Sequence, residues 1–382
     1  MLKSYQEVHH QFALNGISFS YEDLKEVGYC LIKEGLPFEI PIGNFLIDWA
    51  DDSDTLTVPT SGSTGTPKNI QLQKQHMVNS AIATGIFFGI NAGDSALLCL
   101  PTDYISGKMM LVRAMVLGLK LDYVEPNSRP LAAINRYYDF SAMIPIQLEN
   151  SLKKINLIQT LIVGGAQMSG DLIAKVQNKT TRVFETYGMT ETITHIAAKA
   201  VNHQETVALH FQTLPHITLS TDRRNCLVID APTISDTKVE TNDVVNLISN
   251  SEFEWLGRFD SIINSGGVKL IPEKIEAKLA SVLSNQFFVA GIPDTLLGQK
   301  LVLIVEGSKL DAKLFEKIKN LASLEKYEIP KESFNVTKFI TTENGKIQRS
   351  INLTLALKEG LLIQKYTSLI AFFNSSFSVL GL

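Results

Sequence analysis

The chain has 382 residues, enough for roughly two to three domains and a sizeable buried core. It is 45% hydrophobic, 8% aromatic and 19% charged, an ordinary globular balance, and its formal charge of −4 argues against nucleic acid or an anionic membrane surface as a partner. Cys30, Cys99 and Cys226 are scattered and odd in number, pointing to neither a disulfide framework nor a zinc site, and the opening MLKSYQEVHHQF lacks the apolar run of a secretory signal, so a cytoplasmic protein is expected.

Taken in chain order, YEDLKEVGYCLIKEG at 21–35 puts Leu24, Val27, Leu31 and Ile32 on one helical face. The stretch PTSGSTGTPK at 59–68 has no large side chain. Gly62 and Gly65 free the backbone, Thr60, Ser61, Ser63, Thr64 and Thr66 offer hydroxyls, and Lys68 adds a cation. That set suits a polyanion, although an isolated run of this kind is more often a surface turn. It is not a P-loop, since Pro67 stands where that pattern needs glycine. ALLCL at 96–100 reads as a strand, KMMLVRAMVLG at 108–118 as a helix and LDYV at 121–124 as a strand. LAAINRYY at 131–138 follows with a helical pattern, and TLIVGG at 160–165 and TRVFETYG at 181–188 continue the strands. Such alternation indicates a parallel sheet and an α/β architecture. Between Val207 and Ile234 short segments broken by Pro215, Asn225 and Pro232 suggest a small β-rich subdomain.

A boundary is expected at GRFD, 257–260. Beyond it, a Gly–Gly turn leads to IPEKIEAKLASVL, a helix with Pro272 in its first turn, then to the strands FFVAGIP and KLVLIVEG and a charged helix from Ala312 to about Leu324. This is a self-contained α+β module. The final YTSLIAFFNSSFSVLGL, 366–382, is interrupted by Asn374, Ser375, Ser376 and Ser378, which favours an appended strand or packing tail over a membrane anchor.

Three further motifs carry chemistry, each weak alone. In VFETYGMTET, 183–192, Tyr187 follows a strand, and after the Gly188 turn come the Thr190 hydroxyl and the Glu191 carboxylate, one of the one or two that Mg²⁺ takes beside phosphate oxygens. TND at 241–243 offers Asp243 for ribose hydroxyls, with Arg258 nearby in GRFD. In ENGKIQR, 343–349, the Asn344–Gly345 turn places Lys346 at a loop tip. A solvated acid, a turn aspartate, a surface arginine and a turn lysine account for these residues just as well one at a time.

In this order, PTSGSTGTPK, LIVGGAQMS, TYGMTET, TNDVV, GRFDSIINSGGVKLIPEKIE and ENGKIQR resemble the motifs of the acyl-adenylate-forming (ANL) superfamily, from about residue 55 to residue 350. The resemblance implies an N-terminal α/β adenylation domain at 1–256, a hinge at 257–260 with Asp260 as its hinge residue, a mobile C-terminal α+β domain at 261–357 and a tail at 358–382. It implies that Thr60, Ser61, Gly62, Ser63, Thr64, Gly65 and Lys68 hold ATP phosphates. Gly165, Ala166, Tyr187 and Gly188 would surround adenine, and Asp243 and Arg258 the ribose. Thr190, Glu191 with Mg²⁺, and Lys346 would serve the reaction, and Gly266 and Gly267 would let the CoA arm pass. The implied reaction forms an acyl-adenylate from ATP and a carboxylic acid; a thiol, CoA, then displaces AMP.

LPTDYISGKMMLVRAMVLG, 100–118, resembles the P-x-x-H-x-S-G segment of the compact o-succinylbenzoate–CoA ligases of menaquinone synthesis, with Tyr104 at the histidine position and Arg113 nine residues on. A dicarboxylate needs a buried partner for its second carboxylate, which Arg113 with Lys108 could supply; both could equally be outward-facing helix residues. Asn242 stands where TGD has glycine, and its tolerance of left-handed backbone would preserve a turn there. Three readings stay open: an o-succinylbenzoate–CoA ligase, an adenylating enzyme for another acid or a carrier-protein acceptor, and a silent nucleotide-binding homologue. A homodimer is compatible with the sequence.

Overall fold

The computed structural model describes residues 4–59, 69–203, 210–342 and 347–359. The chain clusters into two compact units, one running to Thr241 and including Val245–Trp255, the other made of Asn242–Val244 and the chain from Leu256 onward.

The largest sheet has its strands, among the described residues, in the order Ala13–Leu14, Lys120–Tyr123, Ser95–Leu98, Tyr138–Met143, Ile158–Val163, Arg182–Gly188, His195–Ala200, Phe211–Thr213, Glu252–Arg258, Val239–Ser249, Cys226–Asp230 and Thr218–Thr221. Neighbours from Ala13–Leu14 through Arg182–Gly188 are parallel. The pairs from Arg182–Gly188 to Glu252–Arg258 are antiparallel, so the short segments after Phe211 form the antiparallel end. The parallel strands are apolar without alternation because helices cover both faces. Ala96, Leu98, Phe140, Ala142 and Ile162 join a core with residues of the helices Ile40–Trp49, Lys74–Phe88 and Ile105–Leu117. Leu97, Cys99, Met143, Leu161 and Val163 join a second core with the helices Pro145–Ser151 and Gly170–Val176.

One expected helix does not form. In LAAINRYY, Leu131 and Ile134 are buried, but the backbone is a pair of turns and Tyr138 already begins a strand. The carbonyls of Ala132 and Ile134 accept the Lys154 ammonium at 2.7 and 2.9 Å, a side-chain bond taking the place of a helical amide. A second difference lies at TND: Asn242 and Asp243 sit inside the eleven-residue strand Val239–Ser249, with no positive φ, so no turn exists for Asn242 to preserve.

In the second unit Gly298–Glu306 pairs antiparallel with Phe287–Asp294 and parallel with Glu332–Val336, and touches the Ile263–Ser265/Val268–Leu270 hairpin at Ser265. The helix Pro272–Leu279 opens on its proline as expected and ends four residues early, while Ala312–Lys319 stops at Asn320. Ile275, Leu279 and Ile318 bury their helices' apolar stripes against Val289, Leu301 and Leu303.

Candidate active site

The loops of interest leave the carboxyl ends of strands in the parallel part of the sheet, where open α/β sheets place their ligands. Ser95–Leu98 leads to Tyr104, Ile158–Val163 to Gly164–Met168, and Arg182–Gly188 to Thr190 and Glu191. The last strand also shapes its neighbour's loop. Thr186 donates to the Val163 carbonyl at 3.1 Å, and buried Glu185 accepts the Met168 amide at 3.0 Å while pairing with Lys199 at 2.9 Å. Gly165, at φ +84°, turns the loop outward, and Ala166 is half-buried beside it. Gly188 is needed for space: a Cβ there would stand 2.2 Å from the Thr194 carbonyl oxygen.

Tyr187 packs edge-on against Phe253, centroids 5.1 Å apart, and tilted against Phe211 at 6.0 Å, which fixes the ring plane. After Gly188 a short 3₁₀ turn carries Thr190, Glu191 and Thr192, and Ile193 reverses the chain at φ +65°, a strained angle for a β-branched residue. Ile193 is buried, so core packing holds the strain. The turn leaves Thr190 half-buried and Glu191 exposed, with no ion pair to a described residue. A single free carboxylate of this kind fits Mg²⁺, which keeps most of its shell for water and phosphate oxygens.

Helix Ile105–Leu117 starts at Tyr104, and Gly107 lets its first turn rest on Pro101, whose carbonyl oxygen would lie 2.3 Å from a Cβ. Neither cation on this helix faces solvent: Lys108 is 8% and Arg113 1% exposed. Nor do they converge. Lys108 lies over the Phe45 ring at 5.5 Å and faces Asp48 and Asp103; burial lowers its pKa against their attraction. Arg113 points to a polar cluster that no sequence motif signalled. Its Nε–H lies 3.4 Å from Thr84 Oγ1, and its NH2 lies 3.4 Å from both Thr194 Oγ1 and His195 Nδ1. NH1 meets the Met110 sulfur at 3.7 Å. No described carboxylate pairs with Arg113, and burial pulls the guanidinium down to about 9. Buried His195, with Arg113 beside it, is pushed well below its ordinary value. Thr194 and His195 follow TYGMTET by two and three positions, so proximity to that motif was the available signal; Thr84 had none.

In the second unit Asp243 is buried and lies 3.8 Å from Arg258 NH1. The Arg258 fork is engaged by Asp260, Nε to Oδ1 at 3.0 Å and NH2 to Oδ2 at 2.8 Å, so the expected ribose arginine holds the expected hinge residue. Gly266 and Gly267, at φ +59° and +83°, are the two-residue turn of a hairpin that only such glycines close comfortably. Around the terminal lysine motif, Thr341 bridges Ile347, and Arg349 grips Glu276 through two bonds of 2.7 Å. The residues Thr60, Ser61, Gly62, Ser63, Thr64, Gly65, Lys68 and Lys346, and the tail from 360, lie outside the described residues.

Comparison with known proteins agrees with this architecture. Residues 44–233 match the family model of the AMP-binding enzymes. A crystal structure of an acyl-CoA synthetase (AMP-forming)/AMP-acid ligase II-like protein from Dyadobacter fermentans is 33% identical, covers 87% of this chain and 98% of its own, and superposes with a TM-score of 0.58. The 2-succinylbenzoate–CoA ligase of Geobacillus sp. (strain WCH70) is 24% identical over 337 residues, 78% of this chain and 68% of that enzyme. In fold alone, the o-succinylbenzoate coenzyme A synthetase of Bacillus subtilis solved with ATP and magnesium is similar, with a TM-score of 0.68 at 20% identity over 89% of this chain and 83% of that one. The chain belongs to the AMP-binding enzyme family and has the adenylate-forming fold, in keeping with an AMP-forming acid–CoA ligase.

Proposed function

We propose that this protein activates an aromatic dicarboxylic acid, o-succinylbenzoate, as its acyl-adenylate and transfers the acyl group to CoA. The observation that carries the substrate choice is Arg113, a buried cation with neutral partners only among the described residues. An isolated buried charge is costly, and a substrate carboxylate offsets that cost where a protein carboxylate would have cancelled the charge permanently. NH1 is the donor end with capacity left, and Met110, whose unbranched thioether repacks readily, is the side chain that yields to the ligand. Curated relatives named for this substrate support the same choice.

In the first half-reaction an oxygen of the other carboxylate attacks the α-phosphorus of ATP and pyrophosphate leaves. Two anions must meet, so Lys68, the hydroxyls and amides of residues 60–65, Thr190 and Lys346 are assigned to offset the charge. Mg²⁺, held by Glu191, would neutralise phosphate oxygens. Tyr187, Gly165, Ala166 and Gly188 are assigned to adenine, Asp243 and Arg258 to ribose, and Tyr104 to the mouth of the acid pocket. In the second half-reaction the CoA sulfur attacks the acyl carbon and AMP leaves, with Gly266 and Gly267 along the thiol's path and Asp260 at the hinge between the steps. Lys108 is left out of the acid site because its neighbours are Phe45, Asp48 and Asp103.

Pyrophosphate release across a panel of acids, with and without CoA, tests this. o-Succinylbenzoate should drive release, with thioester accumulating only when CoA is present. A preference for matched monocarboxylates would overturn the substrate; silence with every acid would overturn the activity.

A further inference from the structure

The cluster around Arg113 has a proton arrangement that only one histidine tautomer satisfies. Thr84 Oγ1 lies 2.9 Å from the Ser80 carbonyl, which can only accept, so the hydroxyl proton is committed there. Thr84 Oγ1 then accepts, from Arg113 Nε–H at 3.4 Å and from His195 Nε2 at 3.4 Å, and Nε2 must carry a hydrogen. Neutral His195 is left with a lone pair on Nδ1, which accepts from Arg113 NH2 at 3.4 Å, while the second NH2 proton goes to Thr194 Oγ1 at 3.4 Å. Nε and NH2 are therefore held, and among the described residues the two NH1 protons meet only the weak thioether acceptor of Met110.

We propose that Thr84 and His195 are positioning residues for acid selection: they seat the Arg113 guanidinium with NH1 presented to the substrate's second carboxylate, using neutral acceptors so that its charge stays uncancelled. This rests on the dicarboxylate reading above. A long, rotamer-rich arginine gains selectivity only when its fork is held in one orientation, and a hydroxyl and a bare imidazole nitrogen hold it without competing for it. Either partner replaced by a carboxylate would pair with Arg113 and exclude the ligand.

The test compares T84V, which keeps the shape and loses the oxygen, with T84S, which keeps the oxygen. KM and kcat are measured for o-succinylbenzoate and for a matched monocarboxylate. T84V should raise KM for the dicarboxylate about tenfold, the scale of one bond to a charged group, with kcat and the monocarboxylate KM unchanged and T84S restoring the native value. Nitrogen-15 spectra of the histidine rings in the wild-type protein should show His195 as the Nε2–H tautomer. An equal KM rise for both acids, failure of T84S to restore, or an Nδ1–H ring would overturn the proposal. R113A separates the two levels. Should it discriminate between the acids while T84V does not, only the positioning roles fall; should it also fail to discriminate, the dicarboxylate reading falls with them.

Discussion

Burial disfavours the charged form of Arg113, and with no carboxylate among the described residues to compensate, its pKa is pulled down to about 9. A carboxylate docked at NH1 favours that charge, so binding takes up a proton once the pH approaches 9. KM for the dicarboxylate should therefore rise roughly tenfold per pH unit above about 9, while that of a matched monocarboxylate stays flat; steady-state kinetics between pH 7 and 10 would show it. A parallel rise for both acids would assign the effect elsewhere. His195 cannot supply it, since burial first and Arg113 second keep the ring neutral through this range. The sequence offers Arg113, with Lys108 close by, for the acid. Five residues at 3.6 per turn set them about 140° apart, and only packing against Phe45 on one side and Thr84 on the other decided which cation meets neutral partners.

At the scale of elements, the helix Pro272–Leu279 shows what one stripe can organise. Ile275 and Leu279 bury its apolar side, Glu276 takes the Val289 amide at 2.9 Å and both arms of Arg349, and Glu273 reaches under Gly257. A Cβ on Gly257 would stand 2.3 Å from Glu273 Oε2, and that oxygen is buried without a hydrogen-bond partner in the described structure. Burial raises the Glu273 pKa, the Glu276 charge adds to the shift, and Arg349 opposes it. A carboxylate whose folded pKa exceeds its unfolded value destabilises the charged folded state, and the penalty fades as the pH falls towards the unfolded value near 4.5. E273Q should accordingly raise the denaturation midpoint at pH 7.5, and raise it less at pH 5. A loss of stability at both would mean that attraction to Arg349, 3.8 Å away, outweighs burial. This helix was legible because Pro272 and the 3.6-residue period agree. LAAINRYY, with buried Leu131 and Ile134 at helical spacing, misled because the competitor for its carbonyls, Lys154, lies some twenty residues along the chain.

For the whole molecule, the proposed reaction divides between the two units, with the acid and adenine loops in one and Asp243, Arg258 and the terminal lysine motif in the other. If Lys346 stabilises charge only while the adenylate forms, K346A should slow pyrophosphate release about a hundredfold and leave thioester formation from preformed adenylate near its native rate. Equal loss in both half-reactions would remove that role. Much of this organisation was written locally. Runs of buried apolar residues between helical periods specify a doubly covered parallel sheet, and glycines such as Gly165, Gly266 and Gly267 mark turns through their own backbone freedom. Tertiary structure alone decided what charge each buried cation would face. That depends on Thr84 and His195, 29 and 82 positions from Arg113, and a local pattern carries no information about partners brought together from such distances.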